Sequence, residues 1–290
     1  MLTTHSIEVP GAQIGYDVRP GADTGHRPLF ALGSPMDATG FTTLAGHFTD
    51  RTVITYDPRG VGRSPRTDAA PQTVPAEHAA DIAAVIEAIA TEHGCPVDVF
   101  ASSGGAINAL ELVSRRPDLV HTLVAHEPPL AQFLPDRRAI VAACEGIRAR
   151  YEADGMGPAM AVFIALTMYQ GPVPENFASA PAPDPAVFGL PSVDDGSRDD
   201  PLLGQNVHTC SPHELDVAAL RGAATSIVIG VGQESGEQLA ARRHRARRAA
   251  RPGAGRLSGD HAGFLGGEFG MTGRPDEFAA RLRELLDASA

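Results

Sequence analysis

The residues best suited to chemistry lie in the segment Val99-Phe100-Ala101-Ser102-Ser103-Gly104-Gly105-Ala106. An apolar run ends in two serines and two glycines, then continues as a second apolar run. A strand–turn–helix of this kind exposes a hydroxyl at the turn. It also aims the N-terminal N–H groups of the helix at the place where negative charge develops when that hydroxyl attacks a carbonyl. The turn is so tight that the residues two before and two after the nucleophile must both be small. Centred on Ser103 they are Ala101 and Gly105; centred on Ser102 they are Phe100 and Gly104, and Phe100 is too large. Ser103 is therefore the candidate nucleophile and acyl transfer the candidate chemistry. The competing reading is a Ser/Gly-rich turn without chemistry, since such turns recur in α/β proteins.

Such a turn needs an alternating frame to hold it. Residues 6–9 and 12–18 read as an opening strand pair turning at Pro10-Gly11. Short apolar strands are expected at 28–32, 52–56, 97–101, 119–125 and 226–231, with a poor one at 255–257. Between them, residues 77–90 place Ile82, Val85, Ile86 and Ile89 on one helical face. Residues 104–114 are apolar nearly all round, as a helix buried on a sheet would be. A basic helix is expected at 237–250. A closing helix is expected at 275–288, with Pro275, Asp276 and Glu277 suited to its first turn. The alternation predicts an α/β fold with a mostly parallel sheet and helices on both faces. It breaks after Pro128-Pro129: helices are expected at 136–151 and 158–168, followed by a Pro- and Asp-rich loop at 172–201. The predicted organisation is a core of residues 1–129 and 216–290 with a helical cap inserted at 130–215.

Here the chain resembles the α/β-hydrolase family, and the likeness extends beyond one motif. Ala31-Leu32-Gly33-Ser34-Pro35-Met36 stands where the family has its His-Gly-x-Pro oxyanion loop, with Leu32 in place of the usual His. Asp57-Pro58-Arg59-Gly60-Val61-Gly62-Arg63-Ser64 is similar to the family's Asp-x-Arg-Gly-x-Gly-x-Ser segment, and Gly259-Asp260-His261-Ala262-Gly263-Phe264 to its late Gly-x-His segment. The resemblance covers almost the whole chain except the cap. It implies His261 as the base for Ser103 and an oxyanion hole from the N–H groups of Gly104 and Ser34. It leaves two candidates for the acid. Glu127 follows the strand at 119–125, the placement used by haloalkane dehalogenases and zearalenone lactonase, and it is preferred. Glu234, after the strand at 226–231, is the alternative. The bland reading of either is a solvated surface carboxylate.

The implied activity is cofactor-free hydrolysis of an ester, lactone or related acyl bond in a small hydrophobic molecule, through an acyl-enzyme. Serine at the nucleophile position argues against the dehalogenase and epoxide-hydrolase branches, which use Asp there. Carbon–carbon bond hydrolysis on the same triad, or a non-catalytic binding protein on this fold, are the alternatives. Phe133, Ile164, Met168, Tyr169 and Phe177 are candidate substrate contacts in the cap, set against ordinary packing.

Composition narrows the partners. A formal net charge of −11 argues against nucleic acid. The run Arg242-Arg243-His244-Arg245-Ala246-Arg247-Arg248 is better read as a solvated outer helix. No apolar stretch is long enough for a membrane span. Three scattered cysteines favour a reducing cytoplasm, and no secretory signal is read at the start of the chain. His208-x-Cys210-x-x-His213-Glu214 is short of one good metal ligand, and Gly60-Val61-Gly62 lacks the rest of a dinucleotide fingerprint. No metal or cofactor is implied, and a homodimer is left open.

Overall fold

The computed structural model describes residues 1–22, 24–70, 72–235 and 253–288. The expected basic helix at 237–250 and its arginine run lie outside the described residues. The chain divides into two compact units, Met1–Pro128 with Leu215–Ala290, and Pro129–Glu214.

The first unit is built on an eight-stranded sheet: β1 (Thr3–Val9), β2 (Ala12–Arg19), β3 (Leu29–Leu32), β4 (Val53–Tyr56), β5 (Val97–Ser102), β6 (Val120–His126), β7 (Ser226–Gly232) and β8 (Gly253–Leu257). The spatial order is β1-β2-β4-β3-β5-β6-β7-β8. β1 and β2 form an antiparallel pair, β2 joins β4 antiparallel, and the strands from β4 to β8 run parallel. β3, β4 and β5 are buried along their whole length, which explains why they read as continuous apolar runs rather than as alternation.

Among the described residues the helices of this unit are α1 (Thr42–Gly46), α2 (Pro75–His93), α3 (Gly104–Arg115), α7 (Val217–Gly222) and α8 (Pro275–Asp287), while α4 (Arg137–Asp154), α5 (Met156–Met168) and α6 (Val207–Cys210) belong to the second unit. α2 begins at Pro75, and Glu77 reaches back to the Val74 N–H at 2.9 Å, closing its first turn. α8 buries Phe278, Leu282, Leu285 and Leu286 in a core shared with Phe41, Phe100 and Phe264. Two elements run further than their apolar patterns: α2 begins at Pro75, before the first periodic residue, and β6 continues to His126. α1 and α7 were not visible in the sequence because each is too short to show a full period.

The second unit packs α4 (Arg137–Asp154) and α5 (Met156–Met168) around Ile140, Cys144, Ile147, Tyr151, Ala159 and Val162. A single π-helical turn, Leu202–Asn206, runs into α6 (Val207–Cys210) and adds Leu203 and Val207 to that core. The expected loop at 172–201 contains only short 3-10 turns.

Candidate active site

The order of the sheet fixes where a site can form. From β3 the chain passes to β4 on one side, and from β5 to β6 on the other. The carboxyl ends of β3 and β5 therefore flank a topological switch point, where the departing loops leave a crevice. Gly33-Ser34 follows β3 and Ser103 follows β5.

Ser103 is the hinge between β5 and α3, with φ 56° and ψ −127°. A serine in the left-handed half of backbone space costs about 1–3 kcal/mol, so the surroundings must impose it. Its N–H donates to His126 O at 2.9 Å, and its own carbonyl accepts from Ala106 N–H at 3.0 Å. Ser102 and Gly104 are buried while Ser103 is partly exposed. The N–H groups of the first turn of α3, Gly104 included, have no acceptor within the helix and sit at its positive end. Gly105 must be glycine for a reason the sequence argument missed. A Cβ there would come within 2.7 Å of the Gly33 backbone, so α3 and the loop after β3 touch main chain to main chain. Ser34, in that loop, is buried.

Glu127 ends β6 in the same way, with φ 49°. Its N–H donates to Gly230 O at 3.0 Å. Its side chain is wholly buried. Oε1 accepts from Gly232 N–H at 2.9 Å and from the Ser235 hydroxyl; Oε2 takes the Nδ1–H of His261 at 2.7 Å. Burial pushes the carboxyl pKa up, but the hydrogen bond from His261, the nearby imidazoles and Ser235 outweigh it and hold it at about 2. Glu127 is thus an anion built into the fold. Gly232 admits this arrangement because a Cβ there would meet Gly259 O at 2.5 Å. His261 lies on the loop after β8, its side chain about half exposed. Glu234, the alternative acid, is exposed and pairs with Arg274 at 2.8 Å.

The Asp57–Ser64 segment braces rather than reacts. Asp57 accepts from Ala38 N–H at 3.1 Å and from Arg63 Nε at 2.8 Å, and Arg63 also reaches Asp17 at 2.8 Å. Burial opposes ionisation of Asp57, yet the Arg63 hydrogen bonds hold its pKa below the ordinary value. Arg59 is buried against Asp81 on α2, with Nη2–Oδ1 at 2.6 Å. These bonds fasten the loop after β4 to Ala38, which follows the Gly33-Ser34 loop, to β2 and to α2.

In the second unit, Tyr169 and Phe177 pack edge to face at 5.6 Å against that unit's own core. Phe133 and Ile164 are half-buried and Met168 is exposed. His208 pairs with Arg148 and Glu214 with Arg137. Among the described residues no group of three or more His, Cys, Asp and Glu side chains could hold a metal, and no helix is long and apolar enough to cross a membrane. The sequence reading missed Ser235 and His126. Each stands beside a candidate acid in the sequence, but neither type nor spacing distinguishes it from loop polar residues.

Known proteins agree with this frame. Residues 33–214, more than half of the chain, match the model of the alpha/beta hydrolase fold family. A Bacillus subtilis (strain 168) protein named as an uncharacterized hydrolase, YraK, is 36% identical over 136 residues, 46% of this chain and 47% of its own. The chain thus matches about half the length of that relative. Among solved structures, the enol-lactonase from Burkholderia xenovorans LB400 superimposes with a TM-score of 0.66 at 14% identity, over 98% of this chain and 100% of its own. A thermophilic esterase from Thermogutta terrifontis gives 0.65 at 17% identity over 99% of both chains. Proline iminopeptidase from Mycobacterium smegmatis gives 0.63 at 20% over 99% and 98%. At such identities these likenesses speak to the fold, and together with the family match they settle membership: the chain belongs to the alpha/beta hydrolase fold family.

Proposed function

We propose that the chain is a cofactor-independent serine hydrolase that cleaves an ester or lactone of a small hydrophobic molecule through an acyl-enzyme. The observation that carries this reading is the 2.7 Å bond between His261 Nδ1 and buried Glu127, where Glu127 follows the strand next to the one that ends at the left-handed Ser103. Glu127 accepts a hydrogen bond from Nδ1–H, so Nε2 of a neutral His261 is left as the base. A serine hydroxyl is too weak a nucleophile without one. Ser103 Oγ attacks the carbonyl carbon while its proton passes to His261. The oxyanion is met by the N–H groups of Gly104 and Ser34, each such donor contributing about 2.7–4 kcal/mol to lowering the barrier. The tetrahedral adduct collapses, His261 returns the proton to the departing alkoxide, and water repeats the sequence on the acyl-serine.

Glu127 rather than Glu234 is the acid in this scheme. Glu234 is solvated and spent on Arg274. Esters and lactones are opened by this same chemistry, and an esterase and an enol-lactonase are among the structural relatives.

A fluorophosphonate probe tests the reading directly. It should attach to Ser103, and Ser103→Ala should abolish both labelling and turnover of an activated ester. A folded wild-type protein that neither labels nor turns over any activated ester would overturn it.

A further inference from the structure

Two residues that the proposed chemistry does not use face each other across the sheet. Ser102 and His126 are partners in the β5–β6 register, and Ser102 Oγ lies 3.1 Å from His126 Nδ1. The His126 side chain is wholly buried. Phe100, Phe264 and Phe278 box it, with ring centroids at 6.0, 6.2 and 5.3 Å. The remaining neighbour is His261, stacked on it at 5.8 Å with the ring planes 20° apart. His126 Nε2 has no hydrogen-bond partner among the described residues. It lies 3.9 Å from Glu127 Oε1.

A buried imidazole nitrogen without a partner is costly unless its surroundings give something back. Here the tautomer decides. With the proton on Nδ1, the Nε2 lone pair would face a buried carboxylate and be repelled. With the proton on Nε2, an N–H dipole faces that carboxylate, too far for a hydrogen bond but attracted in a medium of low dielectric. The second tautomer requires Ser102 to donate its Oγ–H to Nδ1, which the 3.1 Å distance permits. Three groups of charge or proton-binding character act on the ring: Glu127, His261 and Asp260. Burial and His261 hold its pKa down, to about 4, against the opposite pull of Glu127 and Asp260. The ring is therefore neutral whenever His261 works as a base.

We propose that His126 is a positioning residue for the Glu127–His261 pair and that Ser102 locks its tautomer. Its Nε2–H steadies the ionised Glu127, and its face holds the plane of the His261 ring. The doublet Ser102-Ser103 then has two jobs on one strand end: Ser103 reacts, and Ser102 sets the imidazole that braces the pair. This inference rests on the serine-hydrolase reading above.

Nitrogen-detected NMR of the histidines in the full chain tests it without any substrate. His126 should be a single Nε2–H tautomer, neutral across about pH 5 to 9, and Ser102→Ala should mix its tautomers. An Nδ1–H tautomer, or a His126 ring that titrates in that range, overturns the proposal. Kinetics supply the second readout. His126→Phe keeps a ring but removes both nitrogens. The N–H dipole favours the pair before it takes up a proton more than after, so its loss eases protonation. The acid limb of kcat/KM should move to higher pH by roughly half a unit. kcat should fall roughly tenfold with KM little changed, as expected of looser orientation. A folded His126→Phe protein with the wild-type acid limb and kcat overturns the proposal. If that variant does not fold, Ser102→Ala read by the same limb and by NMR decides. Failure of the hydrolase reading looks different: no ester is turned over, or Ser103→Ala stays active, while the tautomer result is unaffected.

Discussion

Glu127→Gln is the most telling single substitution. It keeps the size and shape of a side chain that is wholly buried. A carbonyl oxygen in the Oε1 place can still accept from Gly232 N–H and Ser235. The other position must then be the amide NH₂, 2.7 Å from His261 Nδ1. Two donors cannot share that bond, so His261 turns its Nδ1 lone pair to the amide and carries its proton on Nε2. The base is then blocked on the side where Ser103 needs it. In a serine-protease triad the equivalent change costs about 10⁴ in kcat, and a loss of roughly 10³–10⁴-fold, or about 4–5.5 kcal/mol of barrier, is expected here. The assay is steady-state hydrolysis of a p-nitrophenyl ester, with thermal melts to show that the variant is folded. Glu234→Gln is the control: its carboxylate is half exposed and paired with Arg274, so the rate should stay within about twofold and the stability within about 0.5 kcal/mol. Glu127→Gln within tenfold of wild type, or a thousand-fold loss in Glu234→Gln instead, would refute the assignment.

Other outcomes follow from the same geometry. Glu127 is held at about 2 in the folded chain against an ordinary 4.5. Its ionisation therefore contributes stability at pH above about 4.5, on the order of 3 kcal/mol. That contribution is lost as pH falls from 4.5 toward 2, and urea midpoints of Glu127→Gln should lose this part of the acid sensitivity. Gly105→Ala should cut kcat by an order of magnitude or more in a folded protein, because its Cβ displaces the Gly33 backbone and with it the loop that carries Ser34. Asp81→Ala strands the buried Arg59 guanidinium and should cost about 3–5 kcal/mol in urea unfolding, whereas the apolar double variant Arg59→Met with Asp81→Leu should recover most of it. A thiol reagent should modify native protein at exposed Cys95 and reach buried Cys144 and Cys210 only on unfolding; burial holds the Cys210 thiol up at about 12.

Much of the core was legible because its signals are local. Strand runs, the small residues of the Ser103 turn and the Pro275 start of α8 each follow from chemistry within a few residues. What stayed hidden depends on contacts between distant segments. The smallness of Gly105 was ascribed to Ala101, but the backbone it meets belongs to Gly33. Tyr169 and Phe177 read as candidate ligand contacts because small cores and pockets share composition, and each is half-buried against the core of its own unit. Glu234 and Glu127 each follow a strand and cannot be ranked by type. Burial separates them, and burial is set by Gly232, Ser235 and His261 arriving from two other strand ends.

The spacing of 24 residues between Ser103 and Glu127 carried more than chain order could reveal. β5 and β6 pair in parallel with that same offset at Val99↔Leu123, Phe100↔Val124, Ala101↔Ala125 and Ser102↔His126. Ser103 and Glu127 are thus the next residues beyond one shared end of the ladder, on strands about 4.8 Å apart. Both leave through the left-handed region, at φ 56° and 49°, and Ser103 N–H is anchored on His126 O. Ser103 is thus held by the strand that ends at Glu127, and Glu127 by β7, whose Gly230 O accepts its N–H. One register thereby places the proposed nucleophile, the proposed acid and, one step below them, the Ser102–His126 pair. A one-residue slip of β6 would turn its side chains over, taking Glu127 away from Gly232 N–H, Ser235 and His261. The apolar ladder from Val97 to Ala125 that forbids such a slip is therefore what sets the geometry of the site.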